Sequence, residues 1–134
     1  MADPFGPRIL IVEDDPLLSD LLAQKLHAEK FDLQTARTGE EALEMIGRVK
    51  PDLILLDILL PGIDGFEVLR RIKADPSTKD IKVIILSNLG QDTDVARGQE
   101  LGAEKYIVKV SLSLSEVVSL VRNTWSAGGG EARS

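Results

Sequence analysis

Four short apolar runs rich in branched side chains, Ile9–Val12, Leu53–Leu56, Val83–Leu86 and Tyr106–Val108, recur along this chain without internal polar alternation. A strand with one wet face alternates apolar and polar residues. A strand covered on both faces has no reason to, and reads as continuous Val, Ile and Leu. Phe31–Ala36 does alternate, as expected at a sheet edge. The segments between the runs carry helical spacing instead. Leu18, Leu21, Leu22 and Leu26 form one stripe, and Ala42, Leu43 and Ile46 another. Val68, Leu69 and Ile72 form a third, and Leu114, Val117, Val118, Val121 and Trp125 the last.

Helix signals fall where this alternation needs them. Asp15 followed by Pro16 reads as an N-cap with proline in the first turn. Thr38 with Glu41, Asp64 with Glu67, and Ser113 with Glu116 have capping-box spacing or a close variant. Gly102 reads as the stop of a fourth helix, Thr93–Leu101, which carries Gly98 and few apolar positions. That helix is expected to be the least firmly held. Five strands alternating with five helices predict an α/β fold, a parallel sheet with helices on both faces.

At 134 residues the chain suits one domain. We expect an irregular N-terminus over 1–7, the domain over 8–126 and a flexible Gly-rich tail over 127–134. The net charge of −6 provides no basic stripe and argues against direct nucleic-acid binding. There are no cysteines, which removes disulfides, thiolate metal sites and cysteine nucleophiles. The single histidine, His27, sits in the first helical stretch and reads as a solvated helical residue rather than a phosphohistidine. No apolar run is long enough to span a membrane, and Met1 to Pro7 lacks a signal pattern, so the expected location is the cytoplasm.

In an open parallel sheet, ligands bind beyond the carboxyl ends of the strands. At those ends stand Glu13, Asp14 and Asp15, then Asp57, then Ser87 and Asn88, then Lys109. Asp15 is most simply the helix cap, and Ser87 or Lys109 alone would be unremarked. Asp57 is different, because it interrupts the apolar run Leu53 to Leu60, where a bare carboxylate is costly. Carboxylates held close together repel, and a hard divalent cation such as Mg²⁺ resolves that repulsion through oxygen ligands. An ionised aspartate beside such a cation is a nucleophile toward phosphorus. Phosphoryl transfer needs positioning and charge neutralisation, and the cation, Lys109 and the Ser87 hydroxyl offer one group per equatorial oxygen.

The residues ILIVEDD from Ile9 to Asp15, LILLD from Leu53 to Asp57, LPGIDG from Leu60 to Gly65, ILS from Ile85 to Ser87 and YIVK from Tyr106 to Lys109 closely resemble the receiver domains of bacterial two-component response regulators. The resemblance covers about residues 8 to 125. It implies a flavodoxin-like (βα)5 sandwich of sheet order 2-1-3-4-5 and phosphotransfer from a phosphohistidine on a partner histidine kinase or phosphotransfer protein. It makes Asp57 the phosphoacceptor, Asp14 the direct Mg²⁺ ligand, Glu13 a ligand acting through water, and the Leu59 carbonyl a further ligand. Ser87 and Lys109 match the groups that grip the phosphoryl oxygens. Tyr106 matches an aromatic that turns inward as the hydroxyl residue moves. The resemblance further implies a signalling face formed by the fourth helix, fifth strand and fifth helix, which engages a downstream effector or output domain and admits a homodimer.

The chain departs from the family pattern at several positions. Val110 stands where the family usually has a cis-proline, which leaves either a retained cis bond or a trans loop that aims Lys109 differently. Asn88 replaces a small residue and is expected to narrow access. Leu59 and Leu89 are apolar where the family places residues that orient water, so the aspartyl phosphate is expected to hydrolyse slowly. A haloacid-dehalogenase-like phosphatase would need an Asp-x-Asp motif after the first strand, which Glu13-Asp-Asp-Pro16 does not form. A nucleotide-binding domain would need a glycine-rich loop there. A degenerate receiver serving as a constitutive binding surface runs against intact Asp14, Asp57, Ser87 and Lys109. Nine Gly-rich residues after Trp125 cannot fold as an output module, which leaves a stand-alone receiver or a piece of a longer regulator.

Overall fold

The computed structural model describes residues 7–111 and 113–125. The expected N-terminal and tail segments therefore lie outside the described residues, except for Pro7. The elements are β1 (Arg8–Val12), α1 (Pro16–Ala28), β2 (Asp32–Ala36), α2 (Gly39–Val49), β3 (Leu53–Leu56) and α3 (Gly65–Ala74). They continue with β4 (Lys82–Ser87), α4 (Asp92–Glu100), β5 (Lys105–Val108) and α5 (Leu114–Trp125). A 3-10 turn, Lys109–Ser111, follows β5.

All four strand pairings are parallel, and the order is β2-β1-β3-β4-β5. The order reverses at β1, so the crevice between β1 and β3 opens at the carboxyl edge. Successive strand residues point to opposite faces. Leu10, Val12, Ile54, Leu56, Val83 and Ile85 pack under α2 and α3 with Ala42, Ile46, Phe66, Val68, Leu69 and Ile72. Ile9, Ile11, Leu53, Leu55, Ile84, Leu86 and Ile107 pack under α1 and α5 with Leu22, Leu26, Val117, Val118 and Val121. Each such side chain removed from water stabilises the fold by about 1.5–3 kcal/mol, which is why the central runs never alternate.

The expected caps form. Asp15 Oδ1 accepts from the Leu17 and Leu18 N–H groups at 3.0 and 3.4 Å. Thr38 Oγ1 accepts from the Glu41 N–H, and Asp64 Oδ1 from the Glu67 N–H. Ser113 and Glu116 exchange bonds in both directions. Gly102 terminates α4 at φ +105, and its N–H reaches the Gln99 carbonyl. At two points the packing differs from the sequence reading. Phe31 is buried against α1 rather than paired in β2, because its N–H closes the α1 terminus on the Leu26 carbonyl. In the α1 stripe, Leu22 and Leu26 are buried while Leu21 stays 40% exposed. Gly98 is the buried residue among the nine of α4, as expected for a weakly held helix.

Candidate functional site at the carboxyl edge

Glu13 and Asp57 are the first residues beyond β1 and β3, and each is still tied to the sheet. The Asp57 N–H donates to the Val12 carbonyl and the Glu13 N–H to the Ala36 carbonyl, both at 3.0 Å. The parallel register therefore brings the two carboxylates to one level on neighbouring strands. Both are nearly inaccessible, Glu13 at 3% and Asp57 at 4%. Ser87, the last residue of β4, is buried beside them. Lys109 follows β5 and turns its ammonium inward.

That ammonium joins the site together. Lys109 Nζ lies 2.9 Å from Asp57 Oδ2 and 2.7 Å from Glu13 Oε1. Asp57 Oδ1 accepts from the Leu59 N–H at 3.2 Å, and Glu13 Oε2 from the Asp15 N–H at 3.1 Å. Asp14 is exposed, yet oxygens of Glu13, Asp14 and Asp57 can lie within 4.8 Å of one another. Such a donor set of hard oxygens, partly buried and open through Asp14, fits Mg²⁺. Asp15, the third acid of the run, is taken up as the α1 cap.

Burial pushes the Glu13 carboxyl above its usual range, with repulsion from Asp57 adding to it, against the bonds from Lys109 and the Asp15 N–H. Burial works to lower the Lys109 ammonium, but its bonds and attraction to Glu13 and Asp57 outweigh this, and its pKa is raised. Lys109 is thus a firmly protonated cation between two acids.

The described residues contain no cis peptide bond, so Lys109–Val110 is trans. Lys109 nevertheless reaches Asp57, which corrects the expectation that a trans loop would aim it elsewhere. The 3-10 turn directly after β5 points the side chain back over the sheet edge and leaves Val110 84% exposed. Ser87 does not cap α4, whose N-cap is Gln91. Its Oγ accepts instead from the Leu89 N–H at 3.3 Å. Tyr106 donates its hydroxyl to the Leu89 carbonyl at 2.6 Å, and its ring packs at Gly98 and Ile85. Burial, with the negative charges of Asp94 and Asp57, raises the Tyr106 pKa.

Two features of the site carry no sequence signal of their own. The Leu89 peptide connects Ser87 to Tyr106 through backbone atoms, which any residue would supply. Gly65 was legible only as part of a motif, yet a Cβ on it would come 2.3 Å from the Asp57 carbonyl oxygen. It lets α3 start directly against the Asp57 peptide.

The sequence model of the response regulator receiver domain matches residues 9–122. The chain belongs to that family. Receiver domains are the phosphoacceptor modules of two-component signalling, and this receiver shares the family's acidic pocket in Glu13, Asp14 and Asp57. It is 41% identical over 121 residues to the DNA-binding dual master transcriptional regulator RpaA of Synechocystis sp., covering 88% of this chain and 50% of RpaA. The BeF3-activated receiver domain of Klebsiella pneumoniae RstA superposes with a TM-score of 0.79 at 34% identity, covering 86% of this chain and 95% of that one. The receiver domain of a signal transduction histidine kinase from Syntrophus aciditrophicus superposes with a TM-score of 0.84 at 33% identity, covering 93% and 94%. This receiver spans about half the length, or less, of such curated relatives. Among the described residues no helix is long and apolar enough to cross a membrane.

Proposed function

We propose that Asp57 is the phosphoacceptor of this receiver, taking a phosphoryl group from a phosphohistidine on a histidine kinase or phosphotransfer protein. The observation that carries this reading is the pairing of the buried Asp57 carboxylate with Lys109 at 2.9 Å, beside Glu13 and Asp14. An ionised, pre-positioned Asp57 oxygen attacks phosphorus. The P–O bond forms as the donor P–N bond breaks, and the electron pair leaves with the imidazole nitrogen. Asp14, Asp57 and the Leu59 carbonyl would hold Mg²⁺ with Glu13 behind them. When bound, Mg²⁺ supplies positive charge for the phosphoryl oxygens. Lys109 and the Ser87 hydroxyl would take the remaining oxygens, as the family resemblance implies.

Ser87 moving toward the phosphoryl group would release the Leu89 N–H, and Leu89 also holds Tyr106. Tyr106 is the switch in this reading, and the face formed by α4, β5 and α5 is what a downstream effector, an output domain or a second copy would read. The switch is a population shift between two arrangements, biased by the phosphoryl group. The chain acts as a cytoplasmic signalling phosphoacceptor that processes only its own phosphoryl group, within a domain spanning 8–126.

The decisive experiment is incubation with Mg²⁺ and acetyl phosphate, followed by intact mass. Wild type is expected to gain one phosphoryl group, and neither Asp57→Asn nor wild type in excess EDTA should do so. No gain by wild type, or equal gain by Asp57→Asn, would overturn the reading.

A further inference from the structure

The α4 helix is anchored in an unusual way for an element that packs on a sheet. It buries Gly98 and no large apolar side chain. A Cβ at Gly98 would lie 2.7 Å from Ile85 Cδ1 and 2.8 Å from Tyr106 Cδ2, so the helix sits flat on those two groups without interlocking them. Its first turn is held by a local bond from the Gln91 N–H to Asp94. A flat seat of this kind lets a helix slide or lift at low cost.

A directional contact crosses from α4 to α3. The Arg97 guanidinium carbon lies 4.3 Å from the centroid of the Phe66 ring. Phe66 is the second residue of α3, buried to 3% exposure in the sheet-facing core. It follows Gly65, whose N–H donates to the Ile58 carbonyl and whose backbone lies against the Asp57 carbonyl. Arg97 itself is exposed, so it approaches the ring from the solvent side. A delocalised guanidinium over an aromatic face is attracted by the ring quadrupole and is only weakly hydrated, so stacking costs it little.

We propose that Arg97 is a positioning residue of the α4 switch element, latching α4 to α3 through Phe66 and thereby to the loop that carries Asp57. The latch supplies the lateral hold that Gly98 cannot, and its release frees α4. Its signalling consequence rests on Asp57 being the phosphoacceptor; its structural effect does not.

The test is amide hydrogen exchange on the unphosphorylated full chain, comparing wild type with Arg97→Gln, Arg97→Lys, Phe66→Leu and the Arg97→Gln/Phe66→Leu double variant. Arg97→Gln is expected to raise exchange of α4 amides roughly two- to fivefold, the factor that corresponds to the ~0.5–1 kcal/mol of an exposed cation–π contact. Amides of α1 and α2 should be unchanged. Phe66→Leu should do the same, the double variant should add nothing further in α4, and Arg97→Lys should fall between wild type and Arg97→Gln. Unchanged α4 exchange in Arg97→Gln, additive effects in the double variant, or a rise spread evenly over the domain would overturn the proposal. Intact mass after acetyl phosphate treatment reads the acceptor role separately, so failure of the latch and failure of the acceptor are distinguishable.

Discussion

Lys109 Nζ stands 2.9 Å from Asp57 Oδ2 and 2.7 Å from Glu13 Oε1, so one ammonium bridges two buried carboxylates that emerge from neighbouring strands. Removing it leaves like charges facing each other in a poorly solvated site.

Lys109→Met is expected to lower stability by about 2–3 kcal/mol in EDTA, between the cost of an unmet charged hydrogen bond and that of a broken buried pair. It should slow phosphorylation by roughly 10²-fold, as loss of a phosphoryl-oxygen donor does. The pH dependence follows from the raised pKa of Lys109. A cation held more tightly in the folded state stabilises it fully below the unfolded lysine value of about 10.4. That contribution is lost as pH rises through the folded value. Urea titrations from pH 7 to 11 should show the wild-type advantage over Lys109→Met shrinking only at the alkaline end.

Gly65→Ala places a Cβ 2.3 Å from the Asp57 carbonyl oxygen and 2.7 Å from Ile58 Cα, both backbone. Neither can rotate away, so α3 or the acceptor loop must shift. A loss of about 1–3 kcal/mol, the usual cost of overpacking, should accompany a slower gain of phosphoryl mass. Equal rates in wild type and variant would show that the loop does not depend on this approach.

Tyr106→Phe removes the 2.6 Å bond to the Leu89 carbonyl. The expected loss is about 1 kcal/mol, measured by denaturant unfolding. Faster exchange of the Leu89 and Gly90 amides should accompany it, because the Leu89 carbonyl loses its tie to β5.

Leu59→Asn and Leu89→Glu test the lifetime of the phosphorylated form. Leu59 is 53% exposed and Leu89 partly buried at the site, and neither offers a group to orient water. Each polar substitution is expected to shorten the half-life of the aspartyl phosphate by several-fold, read from the decay of phosphoryl mass in Mg²⁺. No acceleration in either variant would overturn the expectation that these apolar positions make hydrolysis slow.

Much of the candidate site is legible in the residue order. Asp57 declared itself by interrupting an apolar run, and Glu13, Asp14, Ser87 and Lys109 by following runs that had to be strands. The Glu13–Lys109 pair was not legible, because two residues 96 positions apart in the chain meet only through the sheet order. The fate of Lys109 beside Val110 was open for a related reason. Local sequence sets which turn is available, whereas the attraction of two buried acids selects where the ammonium goes.

The chain by itself determined the alternation of elements, the caps at Asp15, Thr38, Asp64 and Ser113, and the residues delivered to the carboxyl edge. These depend on periodicity and local hydrogen bonding, which act within a few residues. Only the tertiary structure decided that Gly65 abuts the Asp57 peptide, that the Leu89 backbone joins Ser87 to Tyr106, and that Arg97 stacks on Phe66. Tyr106 meets Leu89 and Arg97 meets Phe66 across long stretches of chain, while Gly65 and Ser87 act through backbone atoms or through the absence of a side chain. Such contacts leave no pattern in residue order and arise only when packing brings the segments together.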